Sequence, residues 1–188
     1  MMNYTISPKK LQNNVKNIVW ERITMDKKII ICDTREKGNK KILKYFDQVE
    51  QDYIISKLDA GDYMYYKKYD TIIDKKDGLL ELAGNLCNSK EHQRIKNEIC
   101  LAHELGCKNF VFLIQDDKIK TVEDIKNWSS IHTKVKGEVL LKIMTTMKER
   151  YGIRFVVVPK KEIGKKIIEI LNENWTFSYW LFELFLIW

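Results

Sequence analysis

The chain has 188 residues, 45% hydrophobic and 31% charged, the composition of one globular domain large enough to bury its own core. With 2 prolines and 8 glycines it excludes long structureless linkers. Its 33 Lys+Arg against 26 Asp+Glu give a net charge of +7, which favours polyanionic partners, nucleic acid first and acidic membrane second.

Residues 1–24 read as a helical N-terminal extension. Ser7-Pro8 makes a good helix start, and Leu11, Val15, Ile18, Val19 and Ile23 follow at helical spacing. Met25 opens a new unit and is an alternative start of translation. Residues 25–173 then form the main domain. Ile29-Ile30-Ile31-Cys32 predicts a buried strand, and Asp33-Thr34-Arg35-Glu36 follows it. A helix is expected over about 39–50 and a second strand over 53–58. Asp59-Ala60-Gly61 is a turn. Strands over 62–67 and 70–75 are expected around a tight turn centred near residue 68. Helices over 78–87 and 89–105 come next, the second stopped by Gly106. Asn109 to Ile114 is a core strand, 121–131 and 136–151 read as helices, and Gly152 breaks the latter. A last strand over 153–158 and a helix over 162–172 complete the domain. Helices alternating with apolar strands predict an α/β fold, and the hairpin makes its central sheet mixed.

Residues 174–188 are an apolar, aromatic tail interrupted by Glu183. The tail is too short to span a bilayer, so docking on the domain or on a second copy in a homodimer is expected rather than membrane contact. The four cysteines, Cys32, Cys87, Cys100 and Cys107, form no CxxC pair and follow no secretory signal. Free thiols in a reducing cytoplasm are expected. Cys100, His103 and Cys107 match no common zinc module.

The chemistry concentrates in Gly61–Lys76. Eleven residues separate Asp62 from Asp74, and Lys76 lies two beyond it. Pairing around a turn near 68 sets Asp62 opposite Asp74, with Cβ atoms ~5 Å apart. Asp74 and Lys76 then share one face of a strand. Two carboxylates in contact repel unless a cation intervenes. A hard divalent ion such as Mg²⁺ accepts carboxylate oxygens, lowers the pKa of a bound water, and leaves a lysine to neutralise charge on a phosphorane. The same residues also suit a surface hairpin with charged strand ends, and such spacings recur by chance.

Taken with their flanks, these residues resemble the XPF-type nuclease domain of the PD-(D/E)xK superfamily, in particular its compact phage and bacterial members. Asp33-Thr34-Arg35-Glu36 matches the family's Asp-x-Arg-Glu, Gly61-Asp62-Tyr63 its Gly-Asp-Tyr turn, and Asp74-Lys75-Lys76 its Glu-Arg-Lys signature. Glu81-Leu82 through Leu86 and the helix bearing Arg94 and Glu98 follow in the family's order, over roughly residues 28–172. The resemblance implies a restriction-endonuclease-like core acting as a metal-dependent DNA endonuclease on branched or structured DNA, in repair or recombination in a bacterial or phage-infected cytoplasm. It implies Mg²⁺ or Mn²⁺ as cofactor and no small-molecule cofactor. Asp62 and Asp74 would be the principal metal ligands and Lys76 the catalytic lysine. Asp33 would be a further ligand, Glu36 would add acidity, and Arg35 would orient these carboxylates or contact a phosphate. Lys75, Lys90 and Arg94 would hold the DNA backbone.

Two residues depart from the pattern: Asp74 replaces Glu, and Lys75 replaces Arg with loss of bidentate phosphate geometry. The family's helix-hairpin-helix partner is also missing from the sequence. A catalytically weak or inactive DNA-binding module on the same fold is the alternative expectation. The retained acids Asp33, Glu36, Asp62 and Asp74 with Lys76 argue for the enzyme.

Overall fold

The β-branched and aromatic run Asn109–Gln115 forms the most deeply buried strand, β5, with every side chain from Asn109 to Ile114 out of solvent. A strand is buried on both faces in this way when helices cover both sides of a parallel sheet. The structure, a computed structural model, describes residues 28–173. The expected N-terminal extension and the aromatic tail lie outside them.

Six strands form one mixed sheet: β1 (Ile30–Cys32), β2 (Tyr53–Ile55), β3 (Tyr63–Tyr65), β4 (Lys68–Lys76), β5 and β6 (Arg154–Val158). They lie in the order β2-β1-β3-β4-β5-β6. The pairs β1/β2, β4/β5 and β5/β6 are parallel, and β3 runs antiparallel to β1 and β4. Five α-helices flank the sheet among the described residues: α1 (Lys40–Gln48), α2 (Leu79–Cys87), α3 (Ser89–Glu104), α4 (Gly137–Tyr151) and α5 (Ile163–Asn172).

The period-two alternation of the strands sorts the core into two layers. Ile72, Phe110, Phe112 and Ile114 face α2, α3 and α4, meeting Leu82, Ile95, Ile99, Leu140 and Met144. Their neighbours Ile73, Val111 and Leu113 face α1 and α5, meeting Phe46, Ile167 and Ile170. The mixed α/β fold is thus as the sequence predicts.

Three local expectations are corrected. The strand expected over 53–58 ends at Ile55: Ser56 still donates to the Cys32 carbonyl, but the Leu58 N–H turns to the Asp33 carboxylate, 2.6 Å away. The hairpin turn lies at Tyr66-Lys67, not near 68, with Lys67 in the left-handed region at φ 58°. A register shift between Met64 and Tyr65 absorbs the difference. The helix expected over 121–131 shrinks to a 3₁₀ turn at Glu123–Asn127. There the Thr121 and Asp124 side chains each accept the other's backbone N–H. Trp128 is then extended, at φ −70° and ψ 140°, and its carbonyl accepts the Gly137 N–H that opens α4.

Gly61 shapes the approach to β3. It sits at φ 67°, where a Cβ would lie 2.4 Å from Ile72 Cγ2 and 2.9 Å from the Ile73 carbonyl oxygen. A side chain there adds left-handed strain of about 1 kcal/mol to overpacking of about 1–3 kcal/mol. Gly61→Ala is therefore expected to lower stability by about 2–4 kcal/mol, read as a reduced urea midpoint at constant m. A midpoint matching the parent chain would contradict so tight a turn.

Candidate active site

The antiparallel register sets the site. Tyr63 faces Ile73 and Met64 faces Ile72, and Asp62 lies one residue before β3, close enough to Asp74 for its charge to act on the Asp62 carboxyl. The backbone of Asp62 is held from both sides. Its N–H donates to the Ile73 carbonyl at 2.7 Å, and its own carbonyl accepts the Asp33 N–H at 2.8 Å. Its carboxylate Oδ2 accepts the Lys75 N–H at 2.8 Å. Asp74 and Lys76 follow Ile72 on the α2/α3 face of β4 and are both buried. Lys76 Nζ lies 2.6 Å from Asp74 Oδ1 and 4.0 Å from Glu81 Oε1 of α2. The same ammonium sits 5.5 Å from the centre of the Phe112 ring.

Helix α3 closes this edge. Asn88 caps it by accepting the N–H groups of Lys90 and Glu91. Glu98 neighbours the buried Ile95, Ile99 and Ala102 on the inner side of the helix. Its Oε1 accepts the Gly61 N–H at 2.9 Å, and its Oε2 lies 3.2 Å from Arg94 Nη1. Arg94 also reaches Glu91 at 2.9 Å. The half-exposed guanidinium is therefore braced over the acids rather than extended into solvent.

The electrostatics follow from burial and like charge. Burial and then the neighbouring Asp74 push the Asp62 carboxyl up to about 8. Burial raises Asp74 to about 6, against the opposing pull of Lys76, with Glu98 and Glu81 adding repulsion. Burial alone would lower Lys76, but Asp74 holds its ammonium above the ordinary range. Burial and mutual repulsion thus push both carboxyls toward their protonated forms.

The other expected residues fall elsewhere. The Asp33 carboxylate accepts from Arg35 N, Nε and Nη2 and from Leu58 N, at 2.6–3.0 Å. Burial would raise its carboxyl, yet these bonds hold it below the usual range. With both oxygens so occupied, Asp33 braces the 33–58 turn instead of joining the Asp62–Asp74 pair. Arg35 orients Asp33, as expected, and also donates to the Leu58 carbonyl at 2.8 Å. Glu36 lies 3.4 Å from Lys75 Nζ and accepts the Gly38 N–H. Lys75 is the plainest departure. Strand alternation turns it to the face opposite Asp74 and Lys76, where its side chain is 3% exposed and paired with Asp77 and Glu36. It is not placed to grip a phosphate. Lys90 is exposed in the first turn of α3.

Glu98 and Glu81 are site residues that the sequence names only as motif positions, without a role. The available signal was an acid at position 98 beside a helix's apolar stripe, four residues after Arg94. Among the described residues no three His, Cys, Asp or Glu side chains converge as a ligand cluster. The Asp62–Asp74 pair nevertheless has the hard oxygen donors and the mutual repulsion that a small divalent cation would offset.

A mixed sheet with an acidic pair and a lysine where its central hairpin meets the covering helices defines an α/β fold of the restriction-endonuclease-like class. No family model matches the chain, and no curated protein is detectably similar. Solved structures do match it. XPF from Aeropyrum pernix in complex with DNA superposes with a TM-score of 0.58 and 15% identity, over 77% of this chain and 64% of that one. A second structure of XPF from Aeropyrum pernix gives a TM-score of 0.58 and 14% identity, over 80% and 69%. The chain has the XPF-type nuclease fold, and spans just under two thirds of the DNA-bound chain.

Both carboxyls titrate above their unfolded value of 3.8. The folded state therefore holds more protons than the unfolded state between about pH 4 and pH 8. The stability contributed by the protonated pair is full at the acid end and is lost as pH rises. In metal-free protein, Asp62→Asn is expected to remove at least about 1.4 kcal/mol of this decline between pH 5 and pH 8, measured by urea denaturation. An equal decline in parent and variant would contradict the raised pair.

Proposed function

We propose that the chain is a Mg²⁺- or Mn²⁺-dependent DNA endonuclease that hydrolyses phosphodiester bonds in branched or structured DNA, in repair or recombination. The observation that carries this reading is the half-buried Asp62 beside the buried Asp74, with Lys76 Nζ 2.6 Å from Asp74. Asp62 and Asp74 would hold the divalent ion through carboxylate oxygens. When bound, such an ion lowers the pKa of a coordinated water and offsets charge on the phosphate. The remaining work falls to the chain's own groups. Lys76, kept charged by Asp74, would neutralise the developing negative charge at the scissile phosphate. Glu98 would hold the Gly61 turn so that Asp62 keeps its place. Arg94 and Lys90 would contact the backbone from α3. The net charge of +7 supports a polyanionic substrate.

One observation favours a second reading, a DNA-binding module on the same fold. Asp74 is already paired with Lys76, and no third ligating side chain joins the pair among the described residues. Forks, flaps, four-way junctions, single strands and duplex, each incubated with Mg²⁺ or Mn²⁺, separate the two. Metal-dependent cleavage of at least one substrate is expected. Asp62→Ala, Asp74→Asn and Lys76→Ala should each reduce it by about 10²-fold or more. Intact substrates in every lane, with salt-sensitive binding retained, would favour the binding module.

A further inference from the structure

A cleft of about 590 Å³ opens beyond the carboxyl ends of the parallel strands β4, β5 and β6. In open α/β sheets this is where ligands bind. Asp77 and Gly78, the residues directly after Lys76, form its near wall, so the cleft begins where the candidate active site ends. Its far wall is the long connection between β5 and α4, whose irregular path the sequence pattern does not explain.

That connection is built rather than loose. Asp116 Oδ1 accepts the N–H groups of Lys118 and Ile119 at 2.8 and 2.9 Å. Asp117 Oδ1 accepts the Lys160 N–H at 2.9 Å. Ile125 is fully buried, and the Trp128 backbone bonds to Ile125 and Gly137 at 2.9 and 3.0 Å. A Cβ on Gly137 would sit 2.0 Å from the Ile125 carbonyl oxygen, so α4 packs directly on this segment.

The lining has three chemistries. Leu80, 42% exposed, lines the cleft together with Ile119 and Trp128, both half-buried and packed in part against the core, so one large aromatic residue stands at its wall. Gln115, Asn127 and Ser130 add neutral donors and acceptors. Lys118 and Lys160 add positive charge. The three carboxylates there keep their charge but are turned away from the opening, Asp116 and Asp117 toward backbone N–H groups and Asp77 toward Lys75, so the two lysines and not the net charge of the lining would meet a phosphate. Lys118 and Lys160 have no carboxylate partner among the described residues. An aromatic ring, amide groups and uncommitted lysines together suit a nucleotide. The volume suits one nucleotide and not a duplex segment, whose bases stay inside the stack.

We propose that this cleft holds one unpaired nucleotide of the DNA beside the bond to be cut, with its base stacked on Trp128 and its phosphate near Lys118 and Lys160. The proposal rests on the DNA-processing reading above and narrows its substrate to DNA with a single-stranded nucleotide next to the site.

The test is binding of gapped oligonucleotides to the full chain without divalent metal, moving one abasic nucleotide through the gap. Base–aromatic stacking sets the expectation that one abasic position weakens binding by at least about fivefold. Trp128→Ala should weaken binding of the intact gap by the same factor, and the abasic position should then cost less than about twofold more. Trp128→Phe, which keeps a ring, should restore sensitivity to that position. Lys118→Ala and Lys160→Ala, both at exposed positions, should each reduce the salt dependence by about one released counterion. They test the cleft even if Trp128→Ala fails to fold. Independent, multiplicative losses for Trp128→Ala and the abasic site would overturn the proposal, as would insensitivity to every abasic position or unchanged salt slopes. Cleavage assayed in parallel with Mg²⁺ separates the two readings. Coupling without cleavage overturns the endonuclease and keeps the cleft, whereas cleavage without coupling overturns the cleft alone.

Discussion

Two carboxyl groups, Asp62 half-buried and Asp74 buried, are held close together where the central strands β3 and β4 meet, and the surrounding structure is arranged to keep them there. Asp62 and Asp74 come together because each adjoins the Tyr63–Ile73 pair of the β3/β4 register. Backbone bonds to Ile73, Asp33 and Lys75 fix Asp62 in place. Left to themselves, buried carboxylates separate or take up protons. Here the turn at Gly61 is bonded to Glu98, and Lys76 is drawn in beside Asp74. Such repulsion costs stability, and a bound cation would relieve it.

The alternation of β4 divides its charges between two tasks. Asp74 and Lys76 face the layer of α2, α3 and α4, where Glu81, Glu98 and Arg94 surround them. Lys75 faces the opposite layer and, with Glu36 and Asp77, forms a separate buried set. The two sets meet through the backbone, where the Lys75 N–H supports the Asp62 carboxylate, and through the charge of Glu36, which also acts on Asp62. Lys75 therefore contributes to the site through its main chain while its side chain serves the other face. The closed bonds of Asp33 and Arg35 are likewise structural, tying the end of β1 to Leu58.

Much of this was legible in the residues. Apolar runs at 29–32 and 109–114 located two strands, and the spacing of Asp74 and Lys76 placed them on one face of β4 because strand periodicity is rigid. The hairpin turn was misplaced because a register irregularity leaves no mark in a pattern of alternating side chains. The shortened helix after Thr121 was missed for a related reason: the stop comes from the Trp128 carbonyl bonding to Gly137, a contact between elements. Lys75 was assigned to DNA on resemblance, although alternation alone places it opposite Lys76. The role of Glu98 was passed over because it depends on a backbone N–H 37 residues away, and no local pattern encodes such a partner.

The fold shared with XPF from Aeropyrum pernix does not fix an activity, so the account rests on whether the paired carboxylates hold a metal. Titrating Mn²⁺ into the full chain, with bound ion followed by electron paramagnetic resonance, addresses this directly and independently of any substrate. The account expects a saturable site in the parent chain that disappears in both Asp62→Asn and Asp74→Asn. Equal Mn²⁺ binding by the parent and both variants would contradict it.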